Sequence, residues 1–272
     1  MVTRRAFYGL VLLALVPLSL AQQSSLAPRV LSFRQQAAAT SGFPDQTSLV
    51  AHWRLEEDSD GTRDDAIGAN NLEESSGDTI PRVTGKIGTY AADLEYSEID
   101  SLSIADTADL SMGAEQSFTL VAWVNIESTA PSYAPIISKG ITTGSGTNEF
   151  AVYYRGSTTK FYFGMSDGAS AEQTLTQSGT TADTGVWHLV VAIHDATANK
   201  MYLSIDGDAT PDEASRTAGS FDSSGAFYIG RFGSTTTLSW DGQIDSVSVW
   251  KRALSTSEIE ALWAAGAGVD LP

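Results

Sequence analysis

Hydrophobic and polar residues alternate in short runs along most of this chain, which is typical of half-buried β-strands. The alternation is clearest at residues 118–126, 160–165, 187–195 and 201–206. In the first of these runs every second residue, from Phe118 to Ile126, is apolar. Turn-forming segments rich in Gly, Asp and Ser separate the runs. This succession predicts an all-β fold, a two-sheet antiparallel sandwich or jelly roll.

One segment near the C-terminus departs from this alternation and predicts a helix. Ser255 is followed three residues later by Glu258, which is the spacing of a capping box. Ile259, Leu262 and Trp263 then fall on one helical face. We expect one short C-terminal helix that follows the last strand and packs against the edge of the sandwich.

The last alternating run, DGQIDSVSVWKRALS at residues 241–255, places a carboxylate where an apolar residue is expected. At a period of two residues, Asp245 shares a face with Val247 and Val249. Burial of an unpaired carboxylate is very costly. The pattern therefore predicts that Asp245 has a partner elsewhere in the chain.

The first 47 residues show no strand pattern and divide into two parts. Residues 1–21 have the layout of a secretory signal peptide, with Arg4 and Arg5, an apolar run and small residues before Gln22. The apolar run is shorter than the ~20 residues of a membrane-spanning helix, which favours cleavage over a retained anchor. Residues 22–47 are interpreted as a linker or a tail that orders on a partner. The folded domain is then expected to span residues 48–272.

Composition narrows the class of partner. The formal net charge is −17, so the surface repels nucleic acid and anionic lipid and attracts cations. The chain has no cysteine, so disulfides and thiol chemistry are excluded. Composition does not settle the compartment, but the leader predicts a secreted protein or one on an extracellular surface, with no membrane span in the mature chain.

The order of these features resembles the laminin-G-like jelly roll of the concanavalin A-like lectin/glucanase superfamily. The resemblance is carried by LVAHWRLEEDSDGTRDDAIGANNL (49–72), GKIGTYAADLE (85–95), SLSIADTADLSMG (101–113), SFTLVAWVNI (117–126), GVWHLVVAIHD (185–195), MYLSIDGD (201–208), FYIGRF (227–232) and DGQIDSVSVWKRALSTSEIEALW (241–263). It implies two antiparallel sheets, and a domain of a kind that mostly binds carbohydrate or protein surfaces, in many cases with calcium.

The resemblance also implies a calcium site that includes Asp245. In such domains the aspartate of the G-x-I-D strand approaches an Asp/Asn-rich loop, here TRDDAIGANN, in which Asp65 and Asn70 match the family's pattern. The expected ligands are Asp65, Asn70 and Asp245, with Asp64 beside them, because calcium takes six to eight oxygen ligands. The alternative is that Asp64 and Asp65 form an Asx-turn while Asp245 caps backbone amides.

Catalysis is not expected. Glucanases of this superfamily carry an E-I-D-x-x-E strand, and EIDSLS at residues 98–103 reproduces Glu98 and Asp100 but has Ser103 at the second glutamate. A retaining glycosidase needs two carboxylates about 5 Å apart. We interpret Glu98 and Asp100 as exposed charges at a strand edge.

Aromatic residues near predicted loops or strand ends are the candidates for contact with a sugar. They are Trp240, Tyr133, Tyr154 and Phe232. For each of them, burial within the sandwich is the competing interpretation.

Two functions remain open from the sequence. The first is a lectin-like binding protein that recognises carbohydrate or a glycosylated surface. The second is a structural or adhesive protein of a cell surface, appendage or virion. In that case the jelly roll decorates an assembly and residues 22–46 contact neighbouring copies.

Overall fold

The computed structural model describes residues 43–57, 61–75, 79–113, 116–129, 132–140, 148–166, 172–177, 179, 181–216, 222–233 and 238–271, with the backbone alone at 172–176. These residues belong to one compact unit, Phe33–Pro272. The predicted signal peptide, residues 1–21, and residues 22–42 of the predicted tail lie outside the described residues. Within the part that is described, no helix is long and apolar enough to cross a bilayer.

The predicted all-β fold is confirmed. The strands are β1 Leu49–Trp53, β2 Thr62–Arg63, β3 Leu72–Glu74, β4 Arg82–Thr84, β5 Tyr90–Leu94, β6 Leu102–Ile104, β7 Phe118–Ile126, β8 Ala134–Gly140, β9 Asn148–Arg155, β10 Lys160–Ser166, β11 Glu172–Thr176, β12 Trp187–Asp195, β13 Lys200–Ile205, β14 Asp212–Ser215, β15 Phe227–Ile229 and β16 Gly242–Trp250. The helix α1 spans Thr256–Trp263 and is followed by a 3-10 turn at Ala264–Gly266.

The strands form two antiparallel sheets of eight strands each within the described residues. Sheet 1 has the order β14-β13-β12-β7-β16-β5-β4, and β1 also pairs with β16. Sheet 2 has the order β11-β10-β9-β8-β15-β6-β3-β2. Consecutive strands pair in β8 to β11 and in β12 to β14, whereas neighbours such as β7 and β16, or β8 and β15, are distant in sequence, as the long connections of a jelly roll require.

The main core lies between the two sheets and explains the alternation seen in the sequence. In β7 the predicted face from Phe118 to Ile126 is buried in this core. The apolar faces predicted at residues 160–165 and 201–206 join it. Each strand therefore contributes alternate side chains to one continuous layer.

The other face of sheet 1 is also apolar, and α1 covers it. Leu189 and Trp123 project from β12 and β7 into a second buried cluster that contains Ile259 and Leu262 of the helix. The Trp123 and Trp263 rings stack with centroids 5.3 Å apart. The helix begins with the predicted capping box, but it packs on the face of sheet 1. The predicted position at the sandwich edge was wrong, because both faces of the central strands are apolar.

A β-bulge in β16 corrects the predicted orientation of Asp245. The register between β16 and β7 shifts between Asp245 and Ser248, and Ser246 has a positive φ of 47°. The bulge adds one residue to β16 and so reverses the alternation. As a result Val247 faces the main core with Val249, whereas Asp245 lies opposite Trp123 on the outer face of sheet 1.

Candidate functional site

Asp245 is buried on the outer face of sheet 1 and bonds to the backbone of residues 85–90, called here the 85–90 loop. Its Oδ2 atom accepts hydrogen bonds from the amides of Lys86 (2.7 Å) and Ile87 (2.8 Å). Its Oδ1 atom is buried and accepts no well-formed hydrogen bond from the described residues. Burial raises the pKa of Asp245 to about 7; the charge of Glu56 adds to the rise and the two amides oppose it.

Glu56 follows β1 and holds the other end of the same loop. Its Oε1 atom accepts hydrogen bonds from the amides of Thr89 (2.7 Å) and Tyr90 (3.1 Å). One oxygen of each carboxylate, that of Asp245 and that of Glu56, is thus bound to the 85–90 loop. Their second oxygens accept no well-formed hydrogen bond from the residues that the structure describes.

Two glycines let the loop approach both carboxylates. A Cβ atom added at Gly88, where φ is 67°, would lie 2.1 Å from Glu56 Oε1. A Cβ atom at Gly85 would lie 2.9 Å from Asp245 Oδ2 and closer still to the Tyr90 carbonyl. The G-K-x-G spacing of the loop is therefore a steric requirement of this arrangement.

A pocket of about 360 Å³ lies beside the loop. Its lining residues are Arg54, Glu56, Ile87, Gly88, Ser246 and Asp270. Arg54 is held in place by an ion pair with Asp270 (3.1 Å) and by a hydrogen bond to the Leu271 carbonyl (2.7 Å). The pocket therefore has a mixed lining, in which Glu56 provides a carboxylate whose charge acts on the buried Asp245.

Asp65 and Asn70 are brought together, as predicted, but away from the loop that holds Asp245. Asp65 Oδ1 accepts from the amides of His52 and Ile67, both at 3.0 Å. Asp65 Oδ2 accepts from the Asn70 amide (3.1 Å) and from Asn70 Nδ2 (3.2 Å). Burial alone would raise the pKa of Asp65, but the backbone amides outweigh it and hold that pKa below its usual value. Four donors fill the acceptor sites of this carboxylate.

The predicted ligand set therefore divides into separate groups, which corrects the expected shared shell. The exposed Asp64 accepts a hydrogen bond from Asn71 Nδ2 (3.1 Å). Asp65 and Asn70 bond to each other and to nearby backbone, and Asp245 bonds to the 85–90 loop. Asp65 and Asp245 both cap backbone amides, as the alternative interpretation described.

A second group of carboxylates lies at the end of β16. Oxygens of Asp93, Glu95 and Glu127 lie within 4.8 Å of one another. Gln243 Nε2 donates to Asp93 (3.2 Å) and to Glu127. Burial raises the pKa values of Glu95 and Glu127, and the charges of Asp93 and Asp241 raise them further. The group concentrates negative charge at this end of sheet 1.

Glu98 and Asp100 of EIDSLS precede β6 and do not lie at a strand edge, contrary to the sequence interpretation. Glu98 is exposed in the turn between β5 and β6. Asp100 is 2% exposed, and its Oδ2 accepts from the Glu95 amide (3.0 Å). Asp100 therefore supports the turn, while Glu98 is exposed to solvent.

Two of the four predicted sugar-contact residues are core residues. Trp240 and Tyr154 are 0% exposed and belong to the cluster between the sheets. Their prediction as ligand contacts was wrong, because loop proximity in sequence does not determine which way a ring points. Tyr154 packs instead against Phe161, with ring centroids 5.6 Å apart.

The other two, Tyr133 and Phe232, belong to an aromatic group on the outer face of sheet 2. With Tyr153 and Tyr162 they form what we call the tyrosine face. The Tyr153 and Tyr162 rings stack 5.2 Å apart with only 6° between their planes. Tyr133 lies 5.7 Å and Phe232 5.6 Å from Tyr153. The face thus joins β9 and β10 to the segments that precede β8 and follow β15.

One arginine contacts the tyrosine face, and a second lies next to one of its members in the chain. The Arg155 guanidinium lies 5.0 Å from the centre of the Tyr133 ring. Arg231, next to Phe232 in the chain, lies 5.1 Å from the centre of the Tyr228 ring. Both arginines, and Tyr133 and Tyr228 under them, are half-buried. A ligand at this surface meets aromatic rings and cationic donors together.

The family assignment agrees with this architecture. A laminin G family of the concanavalin A-like lectin/glucanases superfamily matches residues 100–260, more than half of the chain. This chain belongs to that superfamily. No curated protein matches the sequence.

Solved structures share this laminin-G-like fold. The binding domain of Paraclostridial Mosquitocidal Protein 1 superposes with a TM-score of 0.64 and 16% identity, over 80% of this chain and 52% of that chain. The botulinum neurotoxin serotype G binding domain gives 0.61 and 14%, over 80% and 51%. This chain thus spans about half the length of both. Domain 4 of AbnA, an extracellular arabinanase from Geobacillus stearothermophilus, solved with arabinotriose, gives 0.58 and 15%, over 78% and 97%.

Sequence reasoning about this laminin-G-like domain missed the residues that complete both sites. Glu56 follows an apolar strand with no motif of its own. Tyr153 and Tyr162 had a detectable signal, since each is a large aromatic at a position that alternates with core residues. A strand whose outward positions carry rings rather than polar side chains indicates a covered or ligand-binding face.

Proposed function

We propose that this chain is a secreted, non-catalytic, lectin-like protein that recognises carbohydrate or a glycosylated surface through the tyrosine face. The observation that carries the proposal is the parallel stack of Tyr153 and Tyr162 on the outward side of sheet 2. Such rings offer apolar contact to a sugar at low entropic cost. The laminin-G-like fold and the arabinotriose complex of AbnA domain 4 support a carbohydrate ligand.

The exposure of the rings indicates how a sugar is held. Tyr153 and Tyr162 are 7% and 9% exposed, so they form a preorganised floor. The half-buried Tyr133 and Arg155 stand at its rim and supply the accessible contact area. Rigid rings already packed in place lose little conformational freedom when a ligand binds.

A non-catalytic role is supported by the surroundings of the carboxylates. The EIDSLS motif lacks its second glutamate, and Asp100 is occupied with the Glu95 amide. The tyrosine face itself carries no pair of carboxylates among its four members. Binding without bond cleavage is therefore the activity that this surface supports.

Calcium is the second part of the proposal, with Asp245 and Glu56 as its ligands. Asp245 fits a cation because one of its buried oxygens lacks a well-formed hydrogen bond and no basic side chain neutralises it within the described residues. Glu56 adds a second carboxylate with a second oxygen to spare. Asp65 fits poorly, since four donors already occupy its oxygens. A cation there would neutralise two like charges and brace the 85–90 loop.

Thermal denaturation with and without calcium tests the metal. We expect calcium to raise the melting temperature of the wild type and a chelator to lower it. Asp245→Asn and Glu56→Gln should each abolish the increment, whereas Asp65→Asn, as the matched control, should retain it. An unchanged melting temperature after chelation, with no metal found by elemental analysis, would remove calcium from the proposal.

A glycan array probed with the full chain tests the binding function. We expect selective binding to a subset of glycans, and a several-fold loss of affinity in Tyr133→Ala and Tyr162→Ala, since an aromatic contact contributes about 1 kcal/mol. Tyr162→Phe should retain binding, and Tyr90→Ala, which removes a half-buried ring from sheet 1, serves as the control. A folded wild type that binds no glycan would contradict the proposal.

A further inference from the structure

We infer that the ligand of the tyrosine face is an acidic carbohydrate, whose carboxylate or sulfate groups are bound by Arg155 and Arg231. The inference rests on the proposed function and names the class of sugar that this surface takes.

Arg155 ends β9 at one border of the tyrosine face. Its guanidinium lies over Tyr133, which fixes its plane without using its hydrogen-bond donors. No carboxylate of the described residues forms an ion pair with it. Arg155 is therefore held in place, charged and half-buried, with its donors available.

Arg231 follows β15 and directly precedes Phe232, a member of the tyrosine face. It lies over Tyr228 in the same manner as Arg155 lies over Tyr133. It has no carboxylate partner in the described residues, and its buried Nε atom makes no hydrogen bond there. A buried donor without an acceptor costs free energy, so an anionic acceptor from a ligand would stabilise this side chain.

A series of ring contacts runs from Tyr133 to Phe232. Tyr133 contacts Tyr153 and Tyr153 contacts Phe232, whose chain neighbour is Arg231. Arg155 thus contacts the ring at one end of this series, and Arg231 precedes the residue at its other end. A chain of sugars lying across it would place acidic groups toward both ends.

The charge of the whole chain makes these two arginines unusual. Acidic residues number 33 against 16 Lys and Arg, so a basic side chain readily finds an acidic partner. Arg54, Arg63 and Arg252 each do so, with Asp270, Glu74 and Glu258. The arginines of the tyrosine face remain unpaired within the described residues although carboxylates are abundant.

An acidic ligand can form stronger hydrogen bonds with the two arginines than a neutral ligand can. A guanidinium binds a carboxylate or sulfate through two parallel hydrogen bonds, which are about twice as strong as bonds between neutral groups. The acidic surface elsewhere repels such a ligand at long range. Local recognition must therefore come from these two cations, and sugar hydroxyls alone would leave their charge uncompensated.

Binding of oligogalacturonate and of its methyl ester, measured by calorimetry with the full chain, tests the inference. The ester keeps the sugar skeleton and removes the charge. A sulfated galactan oligomer and its unsulfated form provide a second matched pair. We expect at least one acidic member to bind about tenfold more tightly than its neutral counterpart. The pair that shows this difference identifies carboxylate or sulfate as the source of the charge.

Arginine variants locate the preference. Arg155→Gln and Arg231→Gln should each weaken binding of the acidic member about tenfold and leave the neutral member nearly unchanged. Arg82→Gln is the matched control, because Arg82 stacks on Tyr90 at 4.2 Å in sheet 1. It should change neither affinity.

The outcomes separate this inference from the proposed function. Equal binding of acidic and neutral members overturns it, as does an equal loss for both members in the arginine variants. If the chain bound neutral glycans but neither acidic probe, the inference of an acidic ligand would also be overturned, and the proposed carbohydrate function would stand. A chain that binds no glycan at all would overturn both.

Discussion

Asp245 and Glu56 hold opposite ends of one loop through its backbone amides. Asp245 accepts from Lys86 and Ile87, and Glu56 accepts from Thr89 and Tyr90. The buried Asp245 and the half-buried Glu56 therefore interact, and the charge of each raises the free energy of the ionised form of the other. We therefore expect the 85–90 loop to be sensitive to substitution and to pH.

Asp245→Ala should destabilise the domain. The substitution leaves the Lys86 and Ile87 amides without their acceptor, at a cost of about 1–3 kcal/mol. Urea denaturation measures the loss. Asp245→Asn keeps an acceptor oxygen and removes the charge, so in the absence of calcium it should lose much less. Equal losses in the two variants would show that the amide bonds are not what Asp245 contributes.

Stability without calcium should depend on pH through Asp245. Burial raises its pKa to about 7 in the folded chain, whereas the unfolded value is about 3.9. The folded state therefore binds the proton more tightly, and this group contributes stability that increases as pH falls from 7 toward 4 and is lost as pH rises through 7. Glu149, whose pKa burial also raises to about 7, acts in the same direction.

The difference between wild type and Asp245→Asn isolates this contribution. Subtraction removes the opposing effect of His52, whose pKa burial lowers to about 4. The difference in unfolding free energy, measured by urea at several pH values, should shift in favour of the wild type as pH falls from 7 to 5. A difference that is constant over this range would contradict a raised pKa at Asp245.

Asp65→Ala should destabilise the domain at neutral pH by about 1–3 kcal/mol or more. The substitution removes the acceptor for the His52, Ile67 and Asn70 amides in a buried turn. Asp64→Ala, at the exposed neighbour, should change stability by no more than about 0.5 kcal/mol. Chemical denaturation of both variants measures the contrast, and similar values for the two would refute the capping role.

Gly88→Ala should lower the free energy of unfolding by more than the cost of an alanine in this backbone conformation. An alanine at positive φ costs about 1–2 kcal/mol, and at Gly88 the added methyl would also meet Glu56. Gly185 has a comparable φ of 73° with no atom within 4 Å of an added Cβ, so Gly185→Ala gives the backbone cost alone. The additional loss of stability in Gly88→Ala, relative to Gly185→Ala, should become smaller when Glu56 is also replaced by Ala. If the additional loss remained in the double variant, a contact other than Glu56 would be its cause.

The fold was predictable because alternation is a repeated signal. Five apolar residues on one face of β7 determine the inner side of a strand, and each further strand adds an independent instance. The capping box of Ser255 and Glu258 likewise lies within four residues. Such signals are local, so they can be recognised in the sequence without information about tertiary contacts.

The site was less predictable, because it depends on one irregularity and on distant partners. The bulge at Ser246 places Asp245 on the face of sheet 1 opposite to the one that strict alternation predicts. The alternating DSVSV sequence gives no sign of this bulge. The partners of Asp245 come from a loop far away in sequence. The wrong predictions for Trp240 and Tyr154 have a related cause. The local sequence does not determine whether an aromatic ring near a strand end points into the core or to solvent.

NMR mapping of a bound oligosaccharide on the isotope-labelled full chain tests the central claim most directly. The glycan is the best binder from the array. We predict that the largest chemical-shift changes on binding occur at Tyr133, Tyr153, Arg155 and Tyr162, including the Arg155 Nε–H signal. The signals of the 85–90 loop should not change. Shifts confined to the 85–90 loop and its neighbouring pocket, with the tyrosine face unchanged, would contradict the account.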